Sequence, residues 1–255
     1  MRCFSIVEIM FKELIRKKDF YILFVFLVII MAILASQNFF NIEGVSRYLL
    51  DFGYTFSMFF SLIVAITFSA KQIPTEIDKK TIYPLLAKPI SRGGILLGKY
   101  IGGFCVAVLS YTLFYLVFSF FYVYYGDGIN YVLLSQGYFF GVLFLVLMTS
   151  IVVFFSTFLT SAANFTISFL LYIIVNMASP GIKDLMFATK GTLSYFYGII
   201  YYLIPHFEFY DLRIRLTHSW DALPFWVIGA VTCYTLIYAG TFFYAATIVF
   251  RRRKL

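Results

Sequence analysis

The chain has 255 residues, 62% of them hydrophobic and 13% charged, which excludes a soluble globular domain, where roughly 25% of residues carry charge. Its net charge of +8 does not mark a nucleic-acid surface, because the basic residues stand beside long apolar runs, the arrangement that orients a membrane protein. Cys3, Cys105 and Cys233 lack metal-ligand spacing, so all three are read as unpaired thiols.

The stretch "FSIVEIMFKELIRKK" puts Phe4, Val7, Phe11 and Leu14 on one helical face and Glu8, Lys12 and Arg16 largely on others. This predicts an amphipathic interfacial helix over 1–18, lying on the inner membrane surface with its apolar side in lipid. The apolar run that follows, with "ILA" at Ile33 to Ala35, has some features of a signal peptide, but the region before it is too long for one.

Crossing the hydrocarbon takes about 20 apolar residues. By that measure spans are predicted over 20–42, 52–70, 98–126, 131–159, 162–182 and 222–250, an all-α integral membrane protein with six transmembrane helices. The fourth and fifth come from one unbroken apolar block, divided where "TSAAN", Thr160 to Asn164, lets the chain reverse. With the N-terminus inside, fifteen of the twenty lysines and arginines fall on the inner side, so both termini are expected in the cytoplasm. Residues 183–221 form an external segment. Within it "GTLSYFYGIIYYLI", Gly191 to Ile204, reaches only about 21 Å as a helix, so it is expected to be interfacial or re-entrant and closed by Pro205.

The charged loop between the second and third spans is the main interruption, "EIDKKTIYPLLAKPISRGGILLGKY", Glu76 to Tyr100. Gly93, Gly98 and Lys99 match a phosphate-loop pattern, but Tyr100 stands where a Ser or Thr hydroxyl must bind magnesium. The stretch also enters a membrane span instead of opening a soluble helix, so the match is accidental. Gly94, Gly98 and Gly102 recur every fourth residue and predict a face for close helix packing. A helix over 75–88 is predicted, starting at Pro74 or Thr75, with Glu76 and Asp78 suited to its N-terminal dipole. Ile77, Tyr83, Leu85 and Leu86 give it apolar surface, Lys79 and Lys80 charge, and Pro84 a kink or end. Such a helix either docks into a groove on another protein or is a solvated connector whose lysines enforce topology.

None of the predicted spans carries an ionisable residue at mid-depth, as a gradient-driven carrier usually would. No catalytic constellation stands out, whereas a channel lined by hydroxyls or carbonyls remains compatible. His206, Glu208, Asp211 and His218 crowd the external segment without a metal motif. Glu208 and Asp211 are instead expected to pair with Arg213 or cap helices, and no metal is expected. "NFT", Asn164 to Thr166, has the form of a glycosylation acceptor but would sit at a cytoplasmic hairpin. The aromatic runs "FYVYYGDG", Phe121 to Gly128, and "SYFYGIIYY", Ser194 to Tyr202, fit interfacial belts better than a substrate path.

The segment "KQIPTEIDKKTIYPLLAKPISRGGILLGKYIG", Lys71 to Gly102, resembles the cytoplasmic signature of ABC-2-type transporter permeases. With "LIPHFEFYDLR", Leu203 to Arg213, it is most similar to the branch that includes the permease of nitrous-oxide-reductase maturation. The resemblance extends to the whole layout and implies a membrane subunit whose inner loop is a coupling helix seated in a separate ATPase subunit. It makes Glu76 the charged contact to that ATPase, with Ile77, Tyr83 and Leu85 packing beside it and Lys79 and Lys80 at the rim. ATP and magnesium would be bound by the ATPase, leaving this chain without cofactor and not itself an enzyme. The resemblance also implies a homodimer or heterodimer of permeases, joined through the first and fifth spans and exporting across a prokaryotic inner membrane. Against this stand an ATP-independent channel or membrane scaffold, which would tolerate charge reversal at Glu76, and a membrane enzyme, which would show turnover alone.

Overall fold

The computed structural model describes residues 12, 13, 16, 18–36, 45–78, 92–125, 130–188, 192–218 and 220–252. Every regular element among them is helical. The long helices are α1 (Lys18–Ser36), α2 (Val45–Ala70), α4 (Arg92–Tyr125), α5 (Tyr131–Ser156), α6 (Ser161–Ala188) and α9 (Phe225–Arg252). Between them lie the short α3 (Pro74–Asp78), α7 (Thr192–Leu203), a 3-10 turn at Phe207–Tyr210 and α8 (Arg213–Thr217).

Five stretches are long and apolar enough to cross a membrane: Arg47–Asp78, Gly93–Tyr124, Tyr131–Ser156, Ser161–Ala188 and Phe225–Arg252. The first predicted span differs. Its described apolar part, Phe20–Ser36, rises only about 25 Å, and the remainder of the predicted span, 37–42, lies outside the described residues. Three other helices outrun their apolar blocks because polar groups at their ends find partners. α2 starts at Val45, and its Asp51 meets Arg213 at 3.3 Å. α4 starts at Arg92, and its Lys99 pairs with Glu76. α6 continues through Pro180 to Ala188, where the Ser194 hydroxyl of α7 donates to the Met186 carbonyl at 2.8 Å.

α5 is the centre of the bundle, packed by α2, α4, α6 and α9, and much of its length is buried. In a lipid environment close packing and interhelical hydrogen bonds must hold helices together, since hydrocarbon is as apolar as leucine. Two glycines of α5 provide the closest approach. A Cβ on Gly141 would run into the Tyr111 ring, and one on Gly137 would come within 2.7 Å of the Tyr115 hydroxyl. Both phenols use the space to reach backbone, Tyr111 Oη donating to the Gly137 carbonyl at 3.2 Å and Tyr115 Oη to the Leu134 carbonyl at 2.7 Å.

The apolar block between 131 and 182 is divided by a turn at 157–160. Asn164, fully buried just beyond it, donates to the carbonyls of Ala70 at 3.3 Å and Val152 at 3.1 Å, and its own carbonyl accepts from Ser168. One amide thus ties the ends of α2, α5 and α6 at the level of the inner loop, and its burial removes it as a glycan acceptor.

Candidate functional site

The bundle end that carries α3 is the one expected to face the cytoplasm and is called inner here. α2 runs into α3 through a turn at 71–73, so α3 is almost a continuation of that span. Pro74 takes the first helical position, where its missing N–H costs nothing, and Glu76 lies in the first turn. Thr75 N–H donates to the Lys71 carbonyl and Ile77 N–H to that of Ile73, both at 3.1 Å. The helix expected over 75–88 is therefore seen as Pro74–Asp78, while Lys79, Lys80, Tyr83 and Leu85 lie outside the described residues.

Both described lever residues turn toward their own chain. Ile73 and Ile77 join a small apolar cluster with Leu96 and Tyr100 of α4, Val153 and Phe154 of α5, and Phe243, Ala246 and Phe250 of α9. Glu76 forms an ion pair with Lys99, whose side chain is only 12% exposed. A half-buried pair is screened less by salt than a surface one, so it fixes α3 to α4. Lys71, at the base, meets Glu13 at 3.5 Å, which attaches the chain before α1 to the same joint.

Gly98 and Gly102 of the predicted glycine face are buried and Gly94 is half-buried. The crowding is plain at the neighbouring Gly103, where a Cβ would fall 2.5 Å from Gln72 Nε2 and 2.7 Å from Ser69 Oγ. Ser69 Oγ and both amide atoms of Gln72 are buried with no hydrogen-bond partner among the described residues. Unpaired buried polar atoms cost about 1–3 kcal/mol each, so the joint between span and lever is the least satisfied polar spot in the described bundle.

At the outer end the segment 203–224 folds back on the bundle. Gln136 of α5, itself buried, donates to the Leu223 carbonyl at 2.9 Å and accepts from the Leu223 N–H at 2.8 Å. Tyr210 Oη pairs with the Thr235 hydroxyl of α9 at 2.8 Å, and the Tyr210 carbonyl accepts from Tyr54 Oη at 3.3 Å. Burial pushes the Tyr210 phenol up to about 12, so it stays neutral at physiological pH. Beneath this segment lies a cavity of about 520 Å³ with an aromatic floor and a charged rim of Glu208, Asp211 and Arg213. Arg213 is held by Asp51 and Asp211, and Asp211 also accepts from the Arg213 N–H at 2.9 Å. Asp211 thus pairs with Arg213 as expected, whereas the N-cap of α8 is Leu212 with no side-chain cap, and Glu208 has no ion pair among the described residues.

The external histidines are not brought together as ligands. His206 is buried, its N–H donates to Tyr234 Oη at 2.8 Å, and its ring stacks on Phe209 and meets the edge of Tyr201. Burial lowers its pKa below the ordinary histidine value, while Glu208 pulls it partly back. His218 is exposed with Nδ1 at 3.1 Å from the Ile214 carbonyl. Among the described residues no group of three or more His, Cys, Asp or Glu could hold a metal ion.

Reading the aromatics as belts missed the tyrosines of the interior. Tyr195 and Tyr202 are exposed as an interfacial belt requires, but Tyr54, Tyr111, Tyr115 and Tyr122 are buried. The signal was present: Tyr111, Tyr115, Phe118 and Tyr122 recur at helical spacing, and "GYFFG" at Gly137 to Gly141 is a small-residue pair that admits them.

Residues 4–255 match the family model described as ABC-2 family transporter protein. No curated protein matches the chain.

Proposed function

Because the chain belongs to the ABC-2 family of transporter proteins, as a multi-pass membrane subunit of an ABC transporter, we propose that it turns ATP hydrolysis in a separate ATPase into export. The observation that carries this reading is the seating of α3. It continues α2, packs on α4, α5 and α9 through Ile73 and Ile77, and is locked to α4 by Glu76–Lys99. A force applied at this short helix is passed to four spans at once, which is what a lever needs.

In this reading the lever extends over 75–88, with Glu76 as the charged contact, Ile77, Tyr83 and Leu85 beside it, and Lys79 and Lys80 at the rim. ATP and magnesium belong to the ATPase, which members of this family generally work with. The predicted span 20–42, which includes α1, is the sixth crossing, both termini are cytoplasmic, and the membrane is a prokaryotic inner membrane. Two permease chains form the working unit, identical or different. The loop signature and "LIPHFEFYDLR" favour the branch of the nitrous-oxide-reductase maturation permease.

The intrachain ion pair sharpens the test. Glu76→Lys would place two ammonium groups together and could unseat α3 without any effect on a partner contact. Lys99→Met also breaks the pair but leaves the Glu76 carboxylate available. The permease co-expressed with its ATPase should co-purify with it as wild type and as Lys99→Met, and lose it as Glu76→Lys. Equal co-purification and equal ATP-dependent transport in all three would remove Glu76 from the proposed contact.

A further inference from the structure

The outer cavity lies within one subunit, between the outer halves of α2, α5 and α6 and the segment 207–214. Its walls are Tyr54, Phe59, Phe144, Tyr172, Phe207 and Tyr210, and its volume of about 520 Å³ is that of a small-molecule site. Several of these rings are braced by one another. Phe144 meets the edges of Tyr172 and Phe207 at centroid distances of 5.7 Å, and Tyr172 and Phe207 are themselves 5.7 Å apart. The site is therefore preformed rather than a gap between mobile side chains.

The charge on its rim is unbalanced. Among the described residues Arg213 is the one cation lining the cavity, and it is already shared between Asp51 and Asp211. Glu208 lines the same cavity, exposed and with no ion pair among the described residues. Arg47 and Lys183 are exposed and do not line it. Glu208 and Asp211 against Arg213 leave a net negative rim over π-faces, and both features attract a positive charge. Among the described residues no group of three or more His, Cys, Asp or Glu is placed to hold a metal ion there.

We propose that this cavity binds a monovalent organic cation with an apolar body, the charge held at Glu208 and the body against the aromatic floor. That such a molecule is cargo rests on the transporter reading above; that it binds does not. Met58, half-buried in the α2 wall, offers a way to fill the chamber without touching the charges.

Binding is measured on the purified full-length permease in detergent, without nucleotide or ATPase, by equilibrium dialysis of labelled tetraphenylphosphonium. Its isosteric anion, tetraphenylborate, is the charge control. Saturable binding of one phosphonium per chain is expected, weakened about tenfold in Glu208→Gln by loss of one nearby charge and further in Glu208→Lys. Met58→Trp should abolish it, while helix content and elution volume stay those of the wild type. Equal phosphonium binding by the wild type and both Glu208 variants would overturn the proposal. So would borate binding as tight as phosphonium binding, or phosphonium binding undiminished by Met58→Trp. ATP-dependent transport by a permease that fails these binding tests would leave the transporter reading standing and remove only the cation site. Cation binding by a permease that never engages an ATPase would do the reverse.

Discussion

Gly141→Ala tests whether the bundle is held by phenols inserted against glycine. The added methyl would overlap the Tyr111 ring, which has no room to yield: it is fully buried, stacked on Tyr138 at 5.5 Å and 5.3 Å from Tyr115. Moving it away breaks the 3.2 Å bond to the Gly137 carbonyl. Interhelical hydrogen bonds in membranes average about 0.6 kcal/mol, so most of the cost is overpacking, about 1–3 kcal/mol. Alanine's better helix propensity returns roughly 0.5–1 kcal/mol. The net expectation is destabilisation by about 1–3 kcal/mol, read by titrating SDS into mixed micelles and following circular dichroism. Gly229→Ala and Gly240→Ala are the controls, because a Cβ there meets nothing within 4 Å; both should be neutral or slightly stabilising. In a Tyr111→Val background Gly141→Ala should lose its cost. A midpoint for Gly141→Ala equal to that of Gly240→Ala would refute the reasoning.

Lys99→Met should cost about 1–3 kcal/mol, less than a fully buried pair because Glu76 remains 23% exposed, and Glu76→Gln in the same chain should recover part of it. A double-mutant cycle in the same titration reads that coupling, and strict additivity would mean that the pair does not fasten α3. Asn164→Ala removes the two bonds that tie Ala70 and Val152 together and should destabilise by about 1–3 kcal/mol. Hydrogen exchange should then quicken at 70–78; an unchanged exchange pattern there would show that Asn164 does not brace the lever. His206 has a depressed pKa when folded, so its contribution to stability is present above the ordinary value of 6.5 and is lost as pH falls below it. Thermal midpoints should therefore drop between about pH 7.5 and 5, and the drop should shrink in His206→Phe, which keeps the ring packing. An identical drop in both proteins would place the titrating group elsewhere.

Composition and apolar run length determined, without coordinates, that this chain is helical and embedded in a membrane, because hydrocarbon leaves backbone groups no partner outside a helix or closed barrel. Charge bias gave an expected orientation, and the break after the fourth predicted span was visible in a handful of small polar residues. The start of α3 was also legible, since Pro74 and Glu76 act locally on the first turn of a helix. The starts of α2 and α4 were not. Those depend on Asp51 finding Arg213 and Lys99 finding Glu76, partners 162 and 23 residues away that no local pattern reveals.

The outer cavity was likewise beyond the sequence, although Glu208, Asp211 and Arg213 stand close together in the external segment. Glu208, Asp211 and Arg213 acquire a floor only when α2, α5 and α6 bring Tyr54, Phe144 and Tyr172 beneath them. Interior and belt tyrosines cannot be told apart by composition, because the same amphipathic ring serves at a lipid headgroup or against a glycine with its hydroxyl on a carbonyl. Which of the two a given tyrosine does is decided by the helix opposite, and that is a property of the assembled bundle.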